Sequence, residues 1–170
     1  FSRAELETIA DVCRRHDLLA ITDEIYEHIL YDGHEHTPIA TLPDMAERTV
    51  KISSAGKMFS VTGWKVGLMV ASPALARAMA RAHQFLAFTT PPNLQTAVAY
   101  GLTQMPEWFD EMPVQMGRSR DRLAAGLTGV GFSVLASQAT YFLTVDLTAS
   151  GIDLDDRSFA LRAVAEHGVA

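Results

Sequence analysis

Three short apolar runs, at residues 18–22, 49–53 and 66–71, lack the alternation of a half-exposed strand. A run of that kind suits a strand covered on both faces, which happens mainly when helices flank a parallel sheet. Lys51 breaks the second run and makes it the least regular of the three. Helical patterns surround them. Ser2 with Glu5 forms a capping box, and Leu6, Ile9, Ala10 and Cys13 then share a face, predicting a helix over about 3–15. Ser72-Pro73 opens a second helix that runs to about Phe85, with Leu75, Met79 and Ala82 on one side. Asn93 is expected to cap a third, carrying Leu94, Ala97, Val98 and Leu102. A longer pattern over 108–127, interrupted early by Pro113, ends near Gly129 and Gly131. Residues 32–47 read as a loop, 132–135 and 141–147 as strands, and 158–167 as a helix stopped by Gly168. The class is α/β, with a boundary near Met105-Pro106 dividing 1–105 from 106–170.

At 170 residues and 48% hydrophobic, the chain buries one substantial core, or most of one domain and a piece of a second. A net charge of -6 without a stripe of interleaved basic and aromatic residues argues against nucleic acid as partner. The longest apolar stretches, such as VGLMVA, are too short for a bilayer, and the first 15 residues carry charges where a signal peptide is apolar. The lone Cys13 forms no intrachain disulfide and favours a reducing compartment, so a cytoplasmic protein is expected. The six histidines show no metal-ligand spacing, and no metal is expected. The start at Phe1 and the finish at 168–170, a helix stop followed by the beginning of a strand, suggest a chain cut at both ends.

The chemistry-bearing residues gather around the run ends. Lys57 follows the second run amid Ser53, Ser54, Ala55 and Gly56, where no bulky neighbour screens its amine. Asp23 and Tyr26 follow the first run, and parallel strands bring both run ends to the sheet edge where α/β proteins bind ligands. Lys65 enters the third run and, with Ser54, offers a cation and a hydroxyl suited to a phosphate dianion. Singly, each residue has an ordinary structural explanation: a solvated turn lysine, a turn-forming aspartate, a half-buried tyrosine. Their joint placement at two strand ends is harder to explain that way.

The strings SSAGKMFSVTGWKVG, ITDEIYEHILYDG and AHQFLAFTTPPNLQTAVAYGL resemble the class I/II aminotransferases, the fold-type-I pyridoxal phosphate (PLP) enzymes, in the branch of kynurenine, glutamine and methionine aminotransferases. The resemblance implies the second half of a PLP-binding large domain with a mainly parallel sheet over 1–105, and the start of an α+β small domain over 106–170. It makes Lys57 the Schiff-base lysine, Asp23 the partner of the pyridine nitrogen, and Tyr26 that of the cofactor's phenolic oxygen. Ser54 and Lys65 become phosphate ligands, the latter where many relatives have arginine. Phe88 corresponds to an aromatic reaching the neighbouring subunit's substrate pocket. Ala139 stands where relatives have glycine before Thr140-Tyr141-Phe142, and Leu68 where many have tryptophan. The implied activity moves an amino group from a large, aromatic or sulfur-containing amino acid to a 2-oxo acid in a homodimer. A cysteine-conjugate β-lyase and a non-catalytic remnant of the fold are the alternatives. In relatives the glycine-rich phosphate loop and the ring-stacking aromatic precede the region of Phe1, and the arginine for the substrate carboxylate follows that of Ala170. The chain alone is therefore expected not to transaminate.

Overall fold

Ser2 starts the chain's first helix, α1 (Arg3–Arg15), with the expected capping box: the Ser2 hydroxyl accepts from the Glu5 N–H while the Glu5 carboxylate accepts from the Ser2 N–H. The structure, a computed structural model, describes residues 1–169, so the last residue of the strand start expected at 168–170 lies outside it. The buried face of α1, Ala10 and Cys13, packs with Ala20 on Ile39, Leu42 and Met45. The segment read as a loop thus contributes three core side chains, set by two short 3-10 turns at Ile39–Thr41 and Ala46–Arg48.

The apolar runs form one three-stranded sheet in the order β1 (Ala20–Asp23), β2 (Thr49–Ser54), β3 (Gly67–Ala71). β1 and β2 are parallel, with Ala20 opposite Thr49 and Asp23 opposite Ile52. β3 is antiparallel to β2, so the sheet within this chain is mixed. The return through 55–66 closes on itself, the Ala55 N–H donating to the Val66 carbonyl at 3.1 Å, so the chain re-enters the sheet at the edge it left and the next strand runs antiparallel. β1 is also shorter than its run, since Leu18 and Leu19 lie before it. Nor are these strands covered on both faces here: Ile21 is 72% and Val70 59% exposed.

One helical turn, α2 (Ala55–Met58), follows β2, and α3 (Pro73–Leu86) follows β3 from its N-terminal proline. In α4 (Pro92–Gln104) the cap is Pro91 and Asn93 lies inside the helix, because Pro92 takes the first helical position. α5 (Trp108–Gly129) runs through Pro113 unbroken. Proline six residues into a helix forfeits one hydrogen bond near an end where several N–H groups lack partners anyway. Beyond α5, β4 (Ser133–Val134) pairs antiparallel with β5 (Val145–Asp146), two residues each, so most of 141–147 is not strand. α6 (Asp156–His167) stops at Gly168, whose φ of 65° is left-handed. Ile29 and Tyr31 share a core with Met112, backed by Trp108 and Met116, which joins the two sides of Met105-Pro106.

Candidate active site

The parallel register of β1 and β2 carries both strand ends to the same sheet edge. Asp23 closes β1 with an exposed carboxylate that accepts from the Ile25 N–H at 3.4 Å, and Ser54 closes β2. Lys57 stands on α2, one residue after Gly56. A Cβ on Gly56 would come within 3.0 Å of the Thr62 Cα and 3.3 Å of the Ser54 hydroxyl, so only glycine lets the chain fold back this closely. The return ends at Lys65, in a left-handed conformation with φ 56°. Ser54, Gly56, Lys57, Thr62, Lys65, Val66 and Gly67 line a recess of about 320 Å³.

Tyr26 approaches Lys57 from the turn after β1, its ring centroid 5.7 Å from the amine. A second phenol is closer: Lys57 donates a hydrogen bond to the Tyr141 hydroxyl and stands 4.8 Å from that ring's centroid. The two tyrosine rings meet edge to face at 5.4 Å. The bond to Tyr141, opposed by desolvation and aided by Tyr26, holds the Lys57 amine above the ordinary lysine range. The same bond draws the Tyr141 phenol below its ordinary value. Burial and the neighbouring Tyr141 push Tyr26 up, against the pull of the Lys57 charge. Ser54, Lys57 and Lys65 therefore share one recess, with Tyr26 beside the lysine and Asp23 on the adjoining strand end. Phe88, 82% exposed with φ 60°, instead lines a separate recess of about 520 Å³ that shares only Val66 and Gly67 with the first.

The family model for aminotransferase class I and II matches residues 1–170. The chain belongs to the class I and II aminotransferases. It is 41% identical to kynurenine–oxoglutarate transaminase 1 of Homo sapiens over 155 residues, 87% of this chain and 37% of that protein. To a probable N-succinyldiaminopimelate aminotransferase, DapC, of Mycobacterium tuberculosis it is 41% identical over 169 residues, 99% of this chain and 42% of that protein. A methionine aminotransferase structure from Escherichia coli superimposes with a TM-score of 0.92 at 34% identity, covering 100% of this chain and 44% of that one. The chain thus spans well under half the length of these relatives. The fold is that of the fold-type-I, PLP-dependent aminotransferases.

For a class I and II aminotransferase the recess has the right donor set. It joins an amine able to bond an aldehyde, a hydroxyl and an ammonium suited to a phosphate, and a backbone cradle that a side chain on Gly56 would fill. A polar cluster that sequence pattern did not reveal joins β2 to the turn after β1. Lys51, on β2, bonds Glu27 and stands 4.0 Å from Glu24; Ser53 donates to Glu27, and Glu24 pairs with His36 at 2.7 Å. Glu24, Glu27 and His36 bring ligand atoms within 4.8 Å of one another, but the Lys51 ammonium is already the cation between the carboxylates. The signal for this cluster was Lys51 itself, since a charge within a buried run needs a partner. Tyr141 gave a weaker signal, being 84 residues from the lysine it touches.

Proposed function

We propose that this chain carries the lysine side of a PLP-dependent aminotransferase site, moving an amino group from a large, aromatic or sulfur-containing amino acid to a 2-oxo acid. The observation that carries this reading is Lys57 at the end of β2, in one recess with Ser54 and Lys65 and beside Tyr26. The relatives named for kynurenine, N-succinyldiaminopimelate and methionine support the donor class. Lys57 would hold the cofactor covalently, Asp23 its ring nitrogen, Tyr26 its phenolic oxygen, and Ser54 and Lys65 its phosphate. When bound, PLP supplies a ring that withdraws electrons from the substrate's α-carbon. Lys57 would be the base that takes the α-proton, on a turn that Gly56 keeps tight. Phe88, on its own recess, belongs in this reading to a neighbouring subunit's substrate pocket, and the whole protein to a homodimer. The boundary near Met105-Pro106 separates the cofactor-binding portion from the second domain, and the buried free Cys13 supports a cytoplasmic protein.

Borohydride reduction of the chain mixed with PLP, followed by peptide mass mapping, tests the central assignment. One pyridoxyl group on Lys57, lost in Lys57→Ala, is expected. Labelling at Lys65 or Lys51, the two other lysines of the chain, in place of Lys57 would overturn it.

A further inference from the structure

The bond between Lys57 and Tyr141 joins segments 84 residues apart. Tyr141 is delivered by a short stretch pinned against the chain just beyond Tyr26. The Thr140 N–H donates to the Ile29 carbonyl at 2.9 Å, the Tyr31 N–H to the Gln138 carbonyl at 3.0 Å, and the Tyr31 hydroxyl to the Thr140 carbonyl at 2.5 Å. These anchors hold Thr140 at φ 68°, a left-handed conformation that a β-branched residue adopts only when its surroundings impose it. The strained residue aims the next one, Tyr141, at the lysine, and the edge of Tyr26 supports the ring at 5.4 Å.

We propose that Tyr141 is a latch on Lys57: in the cofactor-free chain its hydroxyl holds the lysine as an ammonium, and an aldehyde ligand must displace it before the amine reacts. The role goes beyond holding the cofactor; it rests on the reading of Lys57 as the cofactor lysine only for the identity of that ligand. An ammonium has no lone pair. To bond an aldehyde it gives one proton to solvent, the amine nitrogen forms a bond to the carbonyl carbon, and the carbonyl oxygen leaves as water with two further protons. The Tyr141 bond opposes the first step, and the elevated proton affinity of Lys57 agrees. The groups that bear on that proton are the phenols of Tyr141 and Tyr26, and Lys65 lines the same recess. Linkage makes the effect reciprocal: a ligand on Lys57 loosens the seat of 138–141, so cofactor loading and the placement of that segment are coupled.

The test is trace acetylation of the cofactor-free full chain with acetic anhydride across pH, read lysine by lysine by peptide mapping. Tyr141→Phe, which keeps the ring, is expected to speed acetylation of Lys57 roughly two- to tenfold below its midpoint, the range for one lost hydrogen bond. The Lys57 midpoint moves to lower pH while exposed Lys65 is unchanged. A Lys57 midpoint that stays in place overturns the latch. The reverse experiment guards against a disturbed 138–141 segment: in Lys57→Met the Tyr141 phenol, followed by NMR of labelled tyrosine, should titrate at higher pH, and no movement overturns the latch equally. If acetylation shifts as expected while trapped PLP sits on Lys65 or Lys51, the latch stands and the cofactor assignment fails.

Discussion

At the scale of single residues the sharpest feature is a charge in the middle of a strand. The Lys51 side chain is 20% exposed, and its partners Glu27 and Glu24 are 10% and 6% exposed. Replacing one member of such a group strands the rest. Lys51→Met is therefore expected to cost about 3–5 kcal/mol in urea unfolding, far more than a surface lysine would. Burial pushes the Glu27 carboxyl up, but hydrogen bonds from Lys51 and Ser53 and the Lys51 charge more than reverse this, leaving it below its usual value of 4.5. A depressed carboxylate stabilises the fold above its unfolded value, and that stability is lost as pH falls through the folded one. His28 adds a loss at higher pH: burial, first, holds it below 6.5, so the unfolded chain takes up that proton more readily and stability falls as pH drops below 6.5. Unfolding free energies should thus decline from pH 7 towards 5 and again below 4.5, with the acid step reduced in Lys51→Met. A profile flat from pH 7 to about 3 would contradict both assignments.

Between elements, the contact that seats the lysine turn against its neighbouring helix has no room to spare. α4 crosses Phe59, two residues past Lys57, at Gly101, where an added Cβ would come within 2.8 Å of the Phe59 ring. Gly101→Ala gains about 1 kcal/mol of helix propensity and loses about 1–3 kcal/mol to overpacking. A net loss of up to ~2 kcal/mol is expected in urea melts, together with slower PLP labelling of Lys57 because the ring must move. Stabilisation by Gly101→Ala would mean that Phe59 yields freely and does not seat the turn.

Over the whole molecule, apolar side chains on β1 and β3 face water, with Ile21 72%, Val70 59% and Met69 51% exposed, and Phe85 and Leu86 on α3 each 85%. So much exposed apolar surface drives association in an isolated domain. Sedimentation velocity of the 170-residue chain should show sizes that grow with concentration; a single monomer species throughout would refute this. The recess offers a substrate carboxylate no cation besides Lys57, which bonds the cofactor in the proposed reading, and Lys65, which holds its phosphate. The chain by itself is therefore expected to label with PLP without turning over amino acids, as measured by release of the 2-oxo acid. No helix among the described residues is long and apolar enough to cross a membrane.

Local pattern was enough for whatever a few neighbouring residues decide. The capping box of α1, the glycine stop of α6, the strands within the three apolar runs and Asp23 at a strand end were all legible. Side-chain spacing and backbone preference act over one or two turns, so they are written in the sequence. Pairing direction is not: the apolar run of β3 reads the same parallel or antiparallel, and only the tight return through Gly56 and Lys65 settles it. Nor does a run of residues reveal its partners across the fold. The carboxylates that meet Lys51 come from 24 and 27 residues before it, and the phenol that meets Lys57 from 84 residues after. Those distant meetings carry no period, and packing alone brings them about.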